Sequence, residues 1–124
     1  MYKDLKEVRE YYATLRELVI QHSGGWEDAD SLAKVEGLCG AASAALADAE
    51  CHERLRAVCT QAGELFSREG HLKWARKSLT GADYLRLQIL IALEAVNTRL
   101  FFIETVRNRT LATEANETRP IGAG

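Results

Sequence analysis

"GADYLRLQILIALEAVNTRLFFIETVRNR", residues 81 to 109, decides how the rest of the chain is read. From Tyr84 to Val106, 15 of 23 residues are apolar. Three readings fit that density: a membrane span, a core helix, or a helix that faces both a core and a partner. A span needs about 20 mostly uncharged residues. Arg86, Gln88, Glu94, Asn97, Arg99 and Glu104 interrupt this stretch at even intervals, which excludes a bilayer helix. Placed at helical spacing, Leu85, Ile89, Ala92, Leu93, Val96, Leu100 and Ile103 share one face, a full core stripe. Tyr84, Ile91, Ala95 and Phe102 form a second stripe roughly a quarter-turn away, and Leu87, Leu90 and Phe101 a third, more ragged patch. A helix apolar on that much of its circumference is buried on several sides. Three partner helices would cover about two-thirds of it, leaving the second stripe for an interface, most simply a homodimer.

The segments before it carry single stripes. Leu5, Val8, Tyr12, Leu15, Val19 and His22 stand at strict heptad spacing, the seam of a helix packed on other helices. Gly24 and Gly25 supply a stop, and the acidic Glu27, Asp28 and Asp30 suit the first turn of a second helix, where negative charge meets the positive end of the dipole. That helix reads Leu32, Val35, Cys39, Ala42, Leu46; a third reads Cys51, Leu55, Val58, Ala62, Leu65, widened by Cys59 and Phe66. Neither glycine nor proline separates the two, so one helix of about 60 Å is an alternative. Matching the first helix in length favours a break near Asp48, with Asp48 as N-cap. Gly70 closes the third helix, His71 to Ser78 makes a short connecting helix, and Thr80-Gly81-Ala82-Asp83 resembles a capping box that starts the last one. The expected fold is all-α: an antiparallel four-helix bundle with a short connecting helix, dimeric through its last helix. Residues 1–109 form that single domain. From Thr110 the composition turns to Thr, Ala, Glu, Asn, Gly and Pro, which predicts a flexible tail over 110–124.

At 124 residues the chain is long enough to bury a core without disulfide or metal staples. Its net charge of −2 argues against a whole-chain electrostatic binder of nucleic acid. The halves differ, however: 11 acidic against 5 basic residues in 1–53 (−6), and 7 against 11 in 54–124 (+4). Such an asymmetry favours antiparallel self-association or an acidic partner on the basic side. The start, "MYKDLKEVREYY", lacks an apolar signal-like run. Three cysteines with no CxxC pair fit reduced thiols in the cytoplasm better than a disulfide framework.

Chemistry-bearing motifs are sparse. His22, His52 and His71 lie far apart, and no spacing places two good metal ligands one helical turn from each other. Cys39, Cys51 and Cys59 read as small core residues, with Cys51 and Cys59 near one helix face. No nucleophile elbow, phosphate loop or dinucleotide signature appears, so neither an enzyme nor a cofactor is expected. Gly63, Phe66, Gly70, Leu72, Ala75, Leu79 and Ala82 resemble one tetratricopeptide repeat, which would imply a helical hairpin used to bind peptides. A shift of 34 residues finds no second copy, and a solenoid needs about three. "GLCGAASAALA", residues 37 to 47, sets small side chains on more than one face. Its first reading is close approach of helices, with room for Phe101 and Phe102. An unfilled pocket beside it would instead favour a small-ligand site.

The clearest polar cluster is Arg68, His71, Lys73, Arg76 and Lys77 around Trp74. Beside the plain reading of a solvated basic face stands a docking patch for an acidic protein, with Trp74 as anchor. The expected function is a small, non-catalytic interaction or regulatory protein of the adaptor or antiactivator kind. It binds another protein through this patch and pairs with itself through Tyr84, Ile91, Ala95 and Phe102. A nucleic-acid accessory role for residues 68–77 is the alternative, and a small-ligand binder or enzyme ranks third.

Overall fold

Each stripe becomes one helix in the computed structural model, which describes residues 2–22, 28–67, 69 and 81–117. The helices are α1 (Lys3–Gln21), α2 (Ala29–Ala45), α3 (Ala49–Phe66) and α4 (Gly81–Glu117), and no strand occurs among the described residues. The core is made by the positions the spacing selects. Leu5, Val8, Leu15 and Val19 are fully buried from α1, as are Val35 of α2, Val58, Ala62, Leu65 and Phe66 of α3, and Ile89, Leu93, Val96 and Leu100 of α4. Among the described residues no polar or charged side chain belongs to this interior. The short connecting helix expected at 71–78 and the Gly24-Gly25 stop lie outside the described residues.

The helices form a ring. α1 packs on α2 and α4, and α3 packs on α2 and α4. Among the described residues no close backbone approach joins α2 to α4, which therefore sit diagonally across the core. Polar ties at the rim fix how the helices align. Asp4 receives two hydrogen bonds from Arg107 (2.8 and 3.0 Å), Arg9 pairs with Glu104 (2.8 Å), and Arg86 donates to the His22 carbonyl (2.6 Å). Numbers thus rise along α1 as they fall along α4. Asp48 faces Arg99 while Arg54 reaches the Ala95 carbonyl, so numbers rise along α3 as they fall along α4. At the other end, the Asp28 amide donates to the Phe66 carbonyl (2.9 Å), joining the start of α2 to the end of α3.

The break between α2 and α3 lies at Asp48, as the helix lengths suggest. Leu46 and Asp48 are extended, and the Asp48 carboxylate accepts from the Cys51 amide (2.8 Å) as the N-cap of α3. Asp28 caps α2 in the same way through the Ser31 amide. Each carboxylate satisfies a helix-end N–H that has no partner within its own helix.

Two expectations are corrected. α4 stays helical through Glu117, past Thr110, where the composition predicts a tail. The side chains of Thr110 to Glu114 are all exposed. Once α4 is nucleated on the bundle, good helix formers such as Leu111, Ala112 and Glu114 extend it without a core to pack on. The second correction concerns α2. An added side-chain carbon at Gly37 or Gly40 would meet nothing within 4 Å, so these glycines border open space. Among the described residues no bulky side chain fills the room they leave; Phe101 and Phe102 sit on the diagonal helix and point outward.

Hydrogen bonds from Arg99 hold the Asp48 carboxyl below its ordinary value of 3.8, and Arg107 does the same for Asp4. A carboxyl lowered by folding stabilises the fold above its unfolded value. That contribution is lost as the pH falls through the folded value. The melting temperature is therefore expected to drop as the pH is taken below about 4, and Asp48→Asn should weaken the contribution of that site. At neutral pH, Asp48→Ala should cost about 2 kcal/mol in chemical denaturation, since cap and ion pair go together. A midpoint equal to that of wild type would contradict this account of the corner.

Candidate interaction surface

Among the described residues, α4 is covered by α1 and α3 on one side. Its core stripe meets α1 and α3, while Tyr84, Leu87, Ile91, Phe101, Phe102 and Val106 keep 45% to 66% of their exposure. The stripe expected at Tyr84, Ile91, Ala95 and Phe102 is thus brought together on the outside of the bundle, with Ala95 half-buried at its centre. Leu87 joins it from the ragged patch and Phe101 lies at its edge, whereas Leu90 leaves that patch to pack against the core. Val106, Thr98 and Thr105 complete the face by helical position. From Tyr84 to Val106 the face is about 33 Å long.

No charged residue falls within this face. Glu94 and Arg99 border it on opposite sides, and each is tied to a neighbouring helix. The Tyr12 hydroxyl donates to Glu94. Arg99 donates two hydrogen bonds of 2.9 Å to Asp48 and lies 3.2 Å from Glu50. Its guanidinium also stands 4.9 Å from the centre of the Phe102 ring, which holds that ring against the helix in a cation–π contact. Arg54 bridges Glu50 to the Ala95 carbonyl, directly beneath the middle of the face. The charges nearest the apolar stripe are consumed by ties to neighbouring helices.

A second feature lies at the other side of the molecule. Cys39, Gly40 and Ser43 of α2 face His52, Leu55, Arg56 and Cys59 of α3 across an open groove of about 370 Å³, with Glu36 at its rim. The groove lies beside the small residues at 37–45. The Cys39 and Cys59 thiols stand close enough at this groove for each to shift the other's pKa. Cys51 is fully buried and lies near Asp48 and Arg99, so the cysteine pair is 39 with 59, not 51 with 59. The signal for this pairing was available: Cys39 stands nine residues before the Asp48 break and Cys59 eleven after it (48 − 39 and 59 − 48), so a hairpin brings them level. The basic patch of Arg68, His71, Lys73, Trp74, Arg76 and Lys77 lies outside the described residues. Among the described residues, no group of three or more His, Cys, Asp and Glu side chains is placed to hold a metal ion, and no helix is long and apolar enough to cross a membrane.

Because the outward face contributes little to the core, charges placed there should be tolerated by the fold. Ile91→Glu and Phe102→Glu are each expected to keep the helical circular-dichroism signal and lose no more than about 1 kcal/mol of stability. Leu93→Asp, on the opposite face, should unfold the chain by burying an unpaired carboxylate. Equal losses at the three positions would mean that the outward stripe belongs to the core. The chain matches no protein-family model, no curated protein and no solved structure.

Proposed function

We propose that the protein is a non-catalytic helical interaction protein of the adaptor or antiactivator kind, an antiparallel four-helix bundle that pairs with a second copy through the outer face of α4. The observation that carries this reading is the uncharged stripe from Tyr84 to Val106. Six large apolar side chains at about half exposure leave on the order of 600 Å² of apolar surface, the upper end for a monomer. A standard interface takes about 800 Å² from each partner, so this stripe supplies most of one. A second copy suits it for two reasons. The stripe has no charge of its own to match against a charged partner, and Ala95 at its centre lets two helices cross closely about a two-fold axis. Phe102 of each copy then covers Gln88 and Ile91 of the other.

The remaining surface is left for a heterologous protein partner, and the segment around Trp74 remains its candidate anchor. One observation supports a different reading, a small-molecule site, and that is the groove between α2 and α3.

Light scattering at micromolar concentration is expected to give a mass near twice 13.8 kDa. Phe102→Glu should give a folded monomer, with the apparent mass halved and the helical signal unchanged. A monomeric wild type would remove the interface on α4 and with it the central support for this function.

A further inference from the structure

We infer that Cys39 and Cys59 form a dithiol that a hydroperoxide closes into an intramolecular disulfide, with Cys59 as the attacking sulfur and Cys39 as the resolving one. The inference does not depend on self-association through α4. It starts from position: the two cysteines come from different helices that pack on each other, and both line the same open groove. Cys59 is half-buried and reachable from the groove, whereas Cys39 is 96% covered behind it. Gly40 adds no side chain to the groove and borders open space, which leaves an approach for a small oxidant.

The chemistry assigns the roles. The neighbouring Cys39 thiol lowers the Cys59 pKa, against the opposing effects of burial and of Glu36. Cys59 in turn, together with burial, raises Cys39. The attacking thiol is therefore the exposed one, and the thiol that keeps its proton stands next to it.

The reaction balances in two steps. The Cys59 thiolate attacks one peroxide oxygen, the O–O bond breaks, and Cys59 becomes a sulfenic acid while the other oxygen leaves as an alcohol, or as water from hydrogen peroxide. The Cys39 sulfur then attacks the Cys59 sulfur. The S–S bond forms, the S–O bond breaks, and the hydroxyl departs as water with the Cys39 proton. Two thiols are oxidised by two electrons, and the peroxide is reduced by two. An external dithiol reverses the product by exchange. Closing to a bond of about 2.05 Å asks for rotamer changes at both residues, on helices already in contact.

The test treats the full, reduced chain with stoichiometric hydrogen peroxide and follows intact mass and peptide maps. The expected product has lost two hydrogens, carries a 39–59 crosslink and leaves Cys51 reduced. Cys59 should be consumed about tenfold faster than Cys51. Cys39→Ser should stop the reaction at an oxygen adduct on Cys59, trapped by a sulfenic-acid reagent, and Cys59→Ser should prevent the crosslink. In denaturant the preference over Cys51 should disappear, which shows that the fold creates it. Crosslinks between copies, equal oxidation of Cys51, or overoxidation of Cys59 without loss of two hydrogens would each overturn the inference.

Discussion

Asp48 is the joint on which the arrangement turns. One carboxylate ends the run of small residues in α2, caps α3 through the Cys51 amide, and holds Arg99 of α4 with two hydrogen bonds. Remove the cap and α2 with α3 could continue as one helix, since no proline or glycine stands between them. Remove Arg99 and α4 loses the contact that sets its rotation against α3. That rotation matters because α4 has apolar residues on most sides. With Arg99 facing Asp48, the stripe of Leu93 and Leu100 turns inward and the stripe of Ile91 and Phe102 turns outward. A polar contact at the edge chooses which of two hydrophobic faces becomes the core.

Burial energy alone would not make that choice cleanly. Leu, Ile and Phe on either face would each gain about 1.5–3 kcal/mol on burial. The ion pairs are worth less individually, being partly exposed, yet they act on register instead of on net stability. Asp4 with Arg107, Arg9 with Glu104 and Asp48 with Arg99 match only in one alignment of α4. Asp4 with Arg107 and Asp48 with Arg99 also account for part of the charge asymmetry between the halves, whereas Arg9 with Glu104 runs the other way. Acidic groups early in the chain meet basic groups late in the chain within one molecule, so the asymmetry gives no independent argument for pairing between molecules.

Periodicity made most of the fold legible. Most positions of the stripes of α1, α3 and α4 are buried, with Tyr12, His22, Cys59, Ala92 and Ile103 only partly so, and helix length with one aspartate located the break at Asp48. The second stripe of α4 was equally legible, because a helix that is apolar over most of its surface announces a face its own bundle does not use. Other features were hidden for physical reasons. Small residues at 37–47 read as close packing, but the same composition results when a helix face simply has no neighbour. Which helix lies diagonal to which is a property of the whole ring, so the distance of Phe101 and Phe102 from α2 could not be read from either segment alone. The extension of α4 to Glu117 was missed because composition reports the absence of a core, and a helix anchored at one end needs none.

The diagonal placement of α2 and α4 has a consequence for how the two surface features coexist. α4 presents its apolar stripe outward on one corner of the ring, and α2 presents glycines and the dithiol groove on the corner across from it. A second copy seated on α4 would therefore leave the groove open to solvent. Cys51 could not serve in place of Cys59. It lies under the Asp48–Arg99 corner, where burial and the Asp48 charge raise its pKa and close it to an oxidant. The contact that sets the rotation of α4 thus also covers the third thiol, and leaves Cys39 and Cys59 as the two that line the groove.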